Sequence, residues 1–347
     1  MTRGGVATFH ATFLRELVDS SNVEVVGVVP FNLRRSPPPT PVPLIRGPDH
    51  TVTRDVYDFA LERTRPDVIV FNHVAQKWAV RHARRRATSP PAVGIIHSWH
   101  SVTMHGQERS ARARRQLELA LPGLAGLVVV SEHCCREGEK LGFAYPPRVK
   151  VIHYPLSDHY LDHRLPAGGS RTHDITFVGN LVARKNVLSL LEAVSRLPEI
   201  RLTVVGDGEE RAALEHHSAS LGISSRVDFL GELAPEHVRE VLVSSRFLCL
   251  PSHSESFGIV MIEALACGVP VVGFAPTLGE VDRVVHTQCG VPIIDRSSRG
   301  ITEALTAALD RSWNRESLRE RAVKGFSPAA VTGRYVHFLQ EVMDGSA

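Results

Sequence analysis

The residues best suited to chemistry lie between Leu248 and Gly273. An apolar, strand-like run ends at Pro251, a short polar loop follows, and a helix is predicted from Ser256 to Gly268. The first turn of a helix has unpaired backbone N–H groups, and the helix dipole adds partial positive charge there. The loop therefore predicts a binding site for a phosphate or another anion.

Two carboxylates, Glu255 and Glu263, stand eight positions apart in this stretch. On a helix with a rise of 1.5 Å per residue they would lie up to about 12 Å apart. A retaining glycosidase needs its carboxyl pair about 5 to 5.5 Å apart, so the spacing disfavours that chemistry. It favours two carboxylates that bind hydroxyl groups at opposite ends of one long ligand.

A second cluster of candidate residues, Phe177 to Val187, is a strand that leads into a loop with Gly179, Arg184 and Lys185. Cations at the carboxyl end of a strand are well placed to bind a diphosphate. Taken alone, the same Arg-Lys pair is also typical of a solvated helix start. Both interpretations stay open on the residues of this stretch.

Other motifs give weaker or negative signals. The turn from Gly206 to Gly208 follows a strand, but Arg211 replaces the third glycine of the dinucleotide fingerprint. The histidines between Ile96 and Gly106 lack an acidic or thiolate partner at a metal-ligand spacing, which favours a loop that lines an acceptor site, or plain surface, over metal binding. The sequence contains no Gly-x-Ser-x-Gly, no Walker loop and no Asp-x-Asp.

Short β-branched runs alternate with helix-length amphipathic segments, a pattern typical of parallel βαβ units with buried strands. The predicted strands are Val23–Val29, Val68–Phe71, Val93–His97, Leu127–Val130, Val149–Ile152, Ile175–Val178, Leu202–Val205, Val227–Phe229, Phe247–Leu250, Val269–Gly273 and Val291–Ile293. Turn residues without periodicity at positions 159–173 predict a linker. We therefore expect an α/β fold of two doubly wound domains, residues 1–158 and 174–327.

Two N-terminal segments depart from this alternation of strands and helices. The segment from Ser36 to Pro48 contains six prolines and is predicted to be an extended surface loop. The turn Gly4-Gly5 comes before any strand, although a doubly wound domain normally begins with a strand that feeds such a turn. The first strand of the N-terminal domain is therefore missing from this sequence, and we expect it upstream. The alternative is a domain with a shortened sheet.

The composition narrows the class of protein. The 347 residues suffice for two domains, and 40 Lys and Arg against 37 Asp and Glu give a net charge of +3, which is too balanced for a dedicated nucleic-acid binder. Five cysteines without metal-ligand spacing fit a reducing cytoplasm. The sequence shows neither a signal peptide nor the ~18 uninterrupted apolar residues of a spanning helix. We expect a cytoplasmic protein.

Arginines cluster in the first half of the chain, and the longest group lies on one predicted helix. A solvated helix surface is one interpretation, and peripheral contact with the anionic inner face of a membrane is the other. The clustered residues are Arg34, Arg35, Arg81, Arg84, Arg85, Arg86, Arg109, Arg112, Arg114 and Arg115.

The segment Glu255-x7-Glu263, with Pro251-Ser252 before it and Gly268-Val269-Pro270 after it, resembles the GT-B-fold retaining glycosyltransferases of family 4, the glycosyl transferases group 1. The resemblance extends over nearly the whole chain. It implies a GT-B fold, in which two Rossmann-like domains face each other across a cleft. It also implies that the last helix, residues 328–343, packs back on the first domain.

The resemblance further implies roles for individual residues. Lys185 would bind the diphosphate of a nucleotide-sugar donor, Glu255 the sugar hydroxyls, and Glu263 the ribose. His97 would lie near the reacting sugar, and Lys185, Glu255 and His97 are the implied catalytic residues. The other implied donor-binding positions are Gly4, Gly5, Gly179, Asn180, Arg184, Gly206, Gly208, Leu233, Ser256, Phe257, Gly258 and Ile259.

Two positions depart from the family pattern. The usual Gly-Arg-Leu is Gly179-Asn180-Leu181 here, which removes a diphosphate cation that Arg184 would have to supply. The usual Ile-x-Asn-Gly before the linker is Ile152-His153-Tyr154-Pro155.

The resemblance implies transfer of a sugar from a nucleotide-diphosphate sugar to the hydroxyl of a sugar or another acceptor. Positive charge from Lys185 and from the helix start at residues 256–259 would stabilise the departing diphosphate. The acceptor would attack from the face that the leaving group vacates, with retention and without a metal, a cofactor or a protein nucleophile. The alternatives are another GT-B activity, such as an epimerase or a phosphorylase, and a catalytically silent sugar-nucleotide-binding protein.

Overall fold

The computed structural model describes residues 12–13, 15–17, 27–28, 44–45, 61–72, 74, 77–83, 89–103, 107–161 and 172–345. The chain divides into two α/β units. One unit contains Leu156–Ser327, and the other contains the described residues of Gly5–Pro155 and of Pro328–Ala347.

The N-terminal unit has two parallel sheets, one of two strands and one of four strands in the order β3, β4, β5, β6. The strands are β1 (Gly27–Val28), β2 (Leu44–Ile45), β3 (Ile69–Phe71), β4 (Ala92–Ile96), β5 (Gly126–Val129) and β6 (Val149–Val151). Every residue of β4 and β5 is buried, as expected for the inner strands of a parallel sheet. The helices of this unit include Lys77–Ala83, His100–Thr103, Gln107–Ala120, Glu132–Lys140 and Pro328–Met343, and the described residues 12–13, 15–17 and 61–64 are helical as well.

The C-terminal unit has one parallel sheet of six strands in the order β12, β11, β10, β7, β8, β9. The strands are β7 (His173–Val178), β8 (Leu202–Val205), β9 (Val227–Gly231), β10 (Ser245–Leu250), β11 (Val271–Phe274) and β12 (Gly290–Ile293). The helices of this unit are Val187–Ser195, Arg211–Ser220, Pro235–Val243, Ile259–Ala266, Ala275–Val285, Ser298–Leu309 and Arg315–Phe326. The chain winds outward from β7 to β9 and then returns to β10, so the strand order reverses between β7 and β10.

The eleven predicted strands are confirmed in the described part of the chain, and their ends shift by at most two residues where the whole range is described. For the first predicted strand only Gly27 and Val28 are described. The α/β class and the division into two parallel-sheet domains are therefore correct.

Two sequence predictions were wrong in detail. The segment from Ser36 to Pro48 is not wholly a loop, because Leu44 and Ile45 form the strand β2. Neither residue is a proline, so both can pair with β1 between the flanking prolines. The helix predicted from Ser256 begins at Ile259, since Gly258 before it has the left-handed φ of +82°.

The last helix, Pro328–Met343, has the predicted bounds and packs on the sheet of the N-terminal unit. A methyl group on Gly126 of β5 would come within 2.9 Å of Phe338 Cζ and 3.0 Å of Val342 Cγ2, so Gly126 allows the helix to approach closely. We retain the predicted domain limits as a proposal, because residues 162–171 of the predicted linker lie outside the described residues. Within the described ranges, none of the helices has the length and the apolar character to span a bilayer.

Candidate active site

The candidate site lies where the order of the six-stranded sheet reverses. β7 and β10 are hydrogen-bonded neighbours, and the loops that follow them contain Lys185 and Glu255. Because the strands are parallel, both loops leave the sheet at its carboxyl edge. A reversal of strand order at that edge opens a crevice between the two loops, which is the usual ligand site of an open α/β sheet.

Glu255 is the centre of a compact charged cluster and is only 5% exposed. Its Oε1 accepts hydrogen bonds from Lys185 Nζ at 2.5 Å and from Ser252 Oγ at 2.6 Å. Its Oε2 lies 3.8 Å from Nη1 of Arg184, which also donates to the carbonyl of Ser254 at 2.9 Å. Two cations and one carboxylate give the cluster a net charge of +1.

The electrostatics of the cluster keep Glu255 ionised. Burial acts to raise the pKa of Glu255, but the charge and hydrogen bond of Lys185 oppose it, followed by the hydrogen bond of Ser252 and the charge of Arg184. The net effect is a pKa below the ordinary value of a glutamate. An ammonium group has three N–H donors, and Glu255 is the acceptor that the described residues provide for Lys185. The others can bind oxygen atoms of a ligand.

A helix N-terminus follows this cluster directly. The helix Ile259–Ala266 begins after its N-cap residue, Gly258, which has no side chain that could cap the first N–H groups. Those groups and the helix dipole favour an anion. The side chain of Phe257 is buried and lies against the ring of Phe326, with centroids 6.0 Å apart, so this side chain packs in the core. Ser256 and Ile259 are half-buried.

The glycine turn after β8 packs on the loop after β7. A Cβ on Gly206 would lie 2.0 Å from the carbonyl oxygen of Gly179, and one on Gly208 would lie 2.3 Å from that of Leu181. These glycines are therefore needed for the contact between the two loops, whatever they bind. Asn180, in the loop after β7, is exposed, and its side chain forms no hydrogen bond with a described residue.

Glu263 and Leu233 lie elsewhere in the C-terminal unit. Glu263 belongs to the helix Ile259–Ala266, and Leu233 is a half-buried residue after β9. Burial raises the pKa of Glu263 to about 7, although part of its surface stays exposed. No described side chain forms an ion pair with Glu263.

His97 occupies the carboxyl edge of the four-stranded sheet, directly after β4. Its Nε2 lies 2.8 Å from Asn72 Oδ1, and its Nδ1 lies 2.7 Å from the hydroxyl of Tyr154. Asn72 Oδ1 can only accept, so Nε2 of His97 carries a proton and donates to it. Burial raises the pKa of Tyr154 well above its ordinary value, which keeps the hydroxyl protonated.

The sequence did not predict three residues that contact the candidate site residues, namely Ser252, Asn72 and Tyr154. Of these, only Ser252 could have been found from the sequence, because it lies three residues before Glu255. Gly4 and Gly5 lie outside the described residues. In the described ranges, no three His, Cys, Asp or Glu side chains form a group that could hold a metal ion.

Two family models match consecutive parts of the chain. The model described as glycosyl transferases group 1 matches residues 169–325, and the one described as glycosyltransferase family 4 matches residues 3–157. A D-inositol 3-phosphate glycosyltransferase of Mycobacteroides abscessus is 40% identical over 222 residues, which cover 57% of this chain and 49% of that protein. The chain spans between 36% and 51% of the length of three curated relatives that it matches.

Solved structures share the fold over most of the chain. Sucrose-phosphate synthase from Thermosynechococcus elongatus has a TM-score of 0.71 and 21% identity, with 98% of this chain and 93% of that chain covered. The Anabaena protein Alr3699/HepE, solved in complex with UDP, has a TM-score of 0.68 and 20% identity, with 87% and 86% covered. The two α/β units therefore have the GT-B fold of glycosyltransferases. The chain belongs to the glycosyl transferases group 1, the glycosyltransferases of family 4.

Proposed function

We propose that this chain transfers a sugar, with retention of anomeric configuration, from a nucleotide-diphosphate sugar to an acceptor hydroxyl. The observation that supports this most is the largely buried Lys185–Glu255 pair at the reversal of strand order, next to a helix N-terminus with glycine at its N-cap. Cleavage of a nucleotide sugar releases a diphosphate, and fixed positive charge stabilises such a leaving group. The structural neighbour HepE, solved with UDP, supports a nucleotide as the ligand.

In the proposed reaction, the bond between the anomeric carbon and the diphosphate oxygen breaks while the acceptor oxygen bonds to the same carbon. The acceptor proton passes to the departing diphosphate. Lys185 and the N–H groups at Gly258 and Ile259 hold the diphosphate, and Glu255 binds hydroxyls of the donor sugar. Glu263 binds the ribose hydroxyls, and the ring of His97 binds near the reacting sugar. No metal, cofactor or protein nucleophile takes part in this proposal.

The names of the curated relatives indicate which acceptors to test first. D-inositol 3-phosphate glycosyltransferases are among them, so inositol phosphates are the first acceptors to test, followed by sugars. A silent sugar-nucleotide-binding protein is the second candidate. The neutral, exposed Asn180 favours it, since Asn180 takes the place of a family arginine at the donor diphosphate.

A donor panel tests the proposal. UDP-, GDP- and ADP-sugars are added to the purified chain, thermal stability is measured, and release of nucleoside diphosphate is followed with and without acceptors in the presence of a metal chelator. We expect one donor to raise the Tm and to be cleaved slowly without acceptor and faster with one. Stabilisation without any cleavage would support the binding protein, and conversion of the donor to another nucleotide sugar would support an epimerase.

A further inference from the structure

Asn186 follows Lys185 directly and has an uncommon backbone conformation. Its φ of 56° and ψ of 36° lie in the left-handed region, and the residue is only 7% exposed. Asparagine tolerates this conformation better than most residues other than glycine, but it still costs energy. A buried residue in such a conformation needs contacts that offset the cost.

The side-chain amide of Asn186 makes these contacts. Its Nδ2 donates to the carbonyl oxygen of Pro251 at 3.2 Å and to that of Arg296 at 2.9 Å. Both partners are acceptors, so only the amide nitrogen can face them. Pro251 follows β10 and Arg296 follows β12, and one side chain therefore joins three loops at the same edge of the sheet.

Two more hydrogen bonds close a ring. The guanidinium Nη1 of Arg296 donates to the carbonyl of His253 at 2.5 Å, and the N–H of His253 donates to the carbonyl of Arg184 at 2.9 Å. We call this ring the loop clamp, and its members are Arg184, Asn186, Pro251, His253 and Arg296. It connects the loop after β7 to the loop after β10 through backbone groups on both sides.

Lys185 and Glu255 are attached to opposite sides of the loop clamp. Lys185 lies between two of its members, and Glu255 lies two residues after a third, so their backbones are fixed relative to each other. A pair of charges held at 2.5 Å requires such control, because a displacement of one loop would separate them. We propose that Asn186 is a positioning residue that holds Lys185 and Glu255 in register for the donor diphosphate. This inference rests on the proposed transferase function.

The test compares Asn186→Gly with wild type. Glycine adopts the left-handed conformation freely, so the variant loses the two side-chain hydrogen bonds without added backbone strain. We expect kcat/KM for the donor to fall about tenfold, the effect of two ordinary hydrogen bonds. We also expect the acid limb of the pH profile to move to higher pH, because Glu255 faces Lys185 and Arg184 less closely.

His286→Gly is the matched control. His286 has nearly the same backbone conformation, with φ of 50° and ψ of 36°, but it is exposed at the end of the helix Ala275–Val285. We expect it to leave kcat/KM and the pH profile unchanged. Arg296→Gln, which removes the guanidinium that donates to the carbonyl of His253, should change both in the direction of the Asn186 variant.

The outcomes separate the inference from the proposed function. If Asn186→Gly only lowers the Tm and keeps wild-type kcat/KM and acid limb, Asn186 is a structural residue and the inference is wrong. If the wild type cleaves no donor, the proposed function fails, but NMR titration of the Glu255 carboxyl group still tests the positioning role of Asn186. A higher pKa of Glu255 in Asn186→Gly than in His286→Gly supports this role, and equal pKa values overturn it.

Discussion

The carboxyl edges of the two large sheets present different chemistry. At the six-stranded sheet, Lys185, Arg184 and Glu255 form a charged cluster that is largely buried. At the four-stranded sheet, His97 is held between Tyr154 and Asn72 by two hydrogen bonds of its ring. Buried charges are stable only when they are paired, whereas polar rings are held through hydrogen bonds. The two edges therefore position their side chains differently, one through an ion-pair cluster and the other through hydrogen bonds of a ring.

The largest effect on activity is expected from substitutions of Lys185 and Glu255 at the six-stranded sheet. Lys185→Ala and Glu255→Ala should each lower transfer about a hundredfold, the scale of losing one electrostatic contact to the transition state. The double variant should lose much less than the product of both, because the two residues act as a pair. Steady-state kinetics measures this, with the exposed Lys140→Ala as the control. Near-wild-type rates in either variant would remove that residue from its role.

A smaller effect on activity is expected from substitution of His97 at the four-stranded sheet. His97→Gln should lower kcat/KM about tenfold, the scale of one or two hydrogen bonds, without moving the pH profile. His337→Gln is a suitable control, since that side chain is 70% exposed in the same unit. A hundredfold loss together with a shifted pH profile would mean that His97 exchanges a proton, and the contrast between the two edges would no longer hold.

Glu263 gives a prediction on stability. Its pKa is about 7 in the folded chain against an ordinary value of 4.5, so the folded state keeps a proton that the unfolded state has released. The contribution of Glu263 to stability is thus present below about pH 4.5 and is lost as the pH rises through about 7. Glu263→Gln should remove this fall, which amounts to a few degrees in Tm between pH 5 and pH 8. Parallel curves for the variant and the wild type would contradict it.

The smallest effect concerns the arginines of the helix Gln107–Ala120. Arg109, Arg112 and Arg115 are exposed, while Arg114 donates to Glu118 and to the carbonyl of Leu141. If these exposed side chains meet an anionic membrane, each should contribute about fivefold to vesicle binding at low salt. Replacing all three by glutamine should abolish salt-sensitive binding, and Arg299→Gln in the other unit should not. Absence of binding by the wild type at low salt would rule the contact out.

Much of the fold could be predicted from the sequence, because most of the strands are short apolar runs, which are typical of buried strands in a parallel sheet. The start of the helix after Glu255 could not, since it depends on the left-handed φ of Gly258 rather than on residue periodicity. The strand Leu44–Ile45 was missed because the surrounding prolines dominated the pattern.

The candidate site was predictable in part for the same kind of reason. Lys185 and Glu255 each follow a recognisable strand, and parallel strands bring their ends to one edge. The partners of Asn186 and His97 were not predictable, because they lie 25 to 110 residues away and depend on sheet register. Sequence spacing gives no measure of such contacts.

We propose that the cluster of Arg184, Lys185 and Glu255 binds the diphosphate of a donor. Calorimetric titration of wild type and Lys185→Ala with a nucleoside diphosphate and with the matching monophosphate tests it most directly. We expect the variant to lose about tenfold or more in affinity for the diphosphate, the scale of one charge-assisted contact, and less than about threefold for the monophosphate. Equal losses for both nucleotides, or no loss for either, would show that Lys185 does not bind the diphosphate.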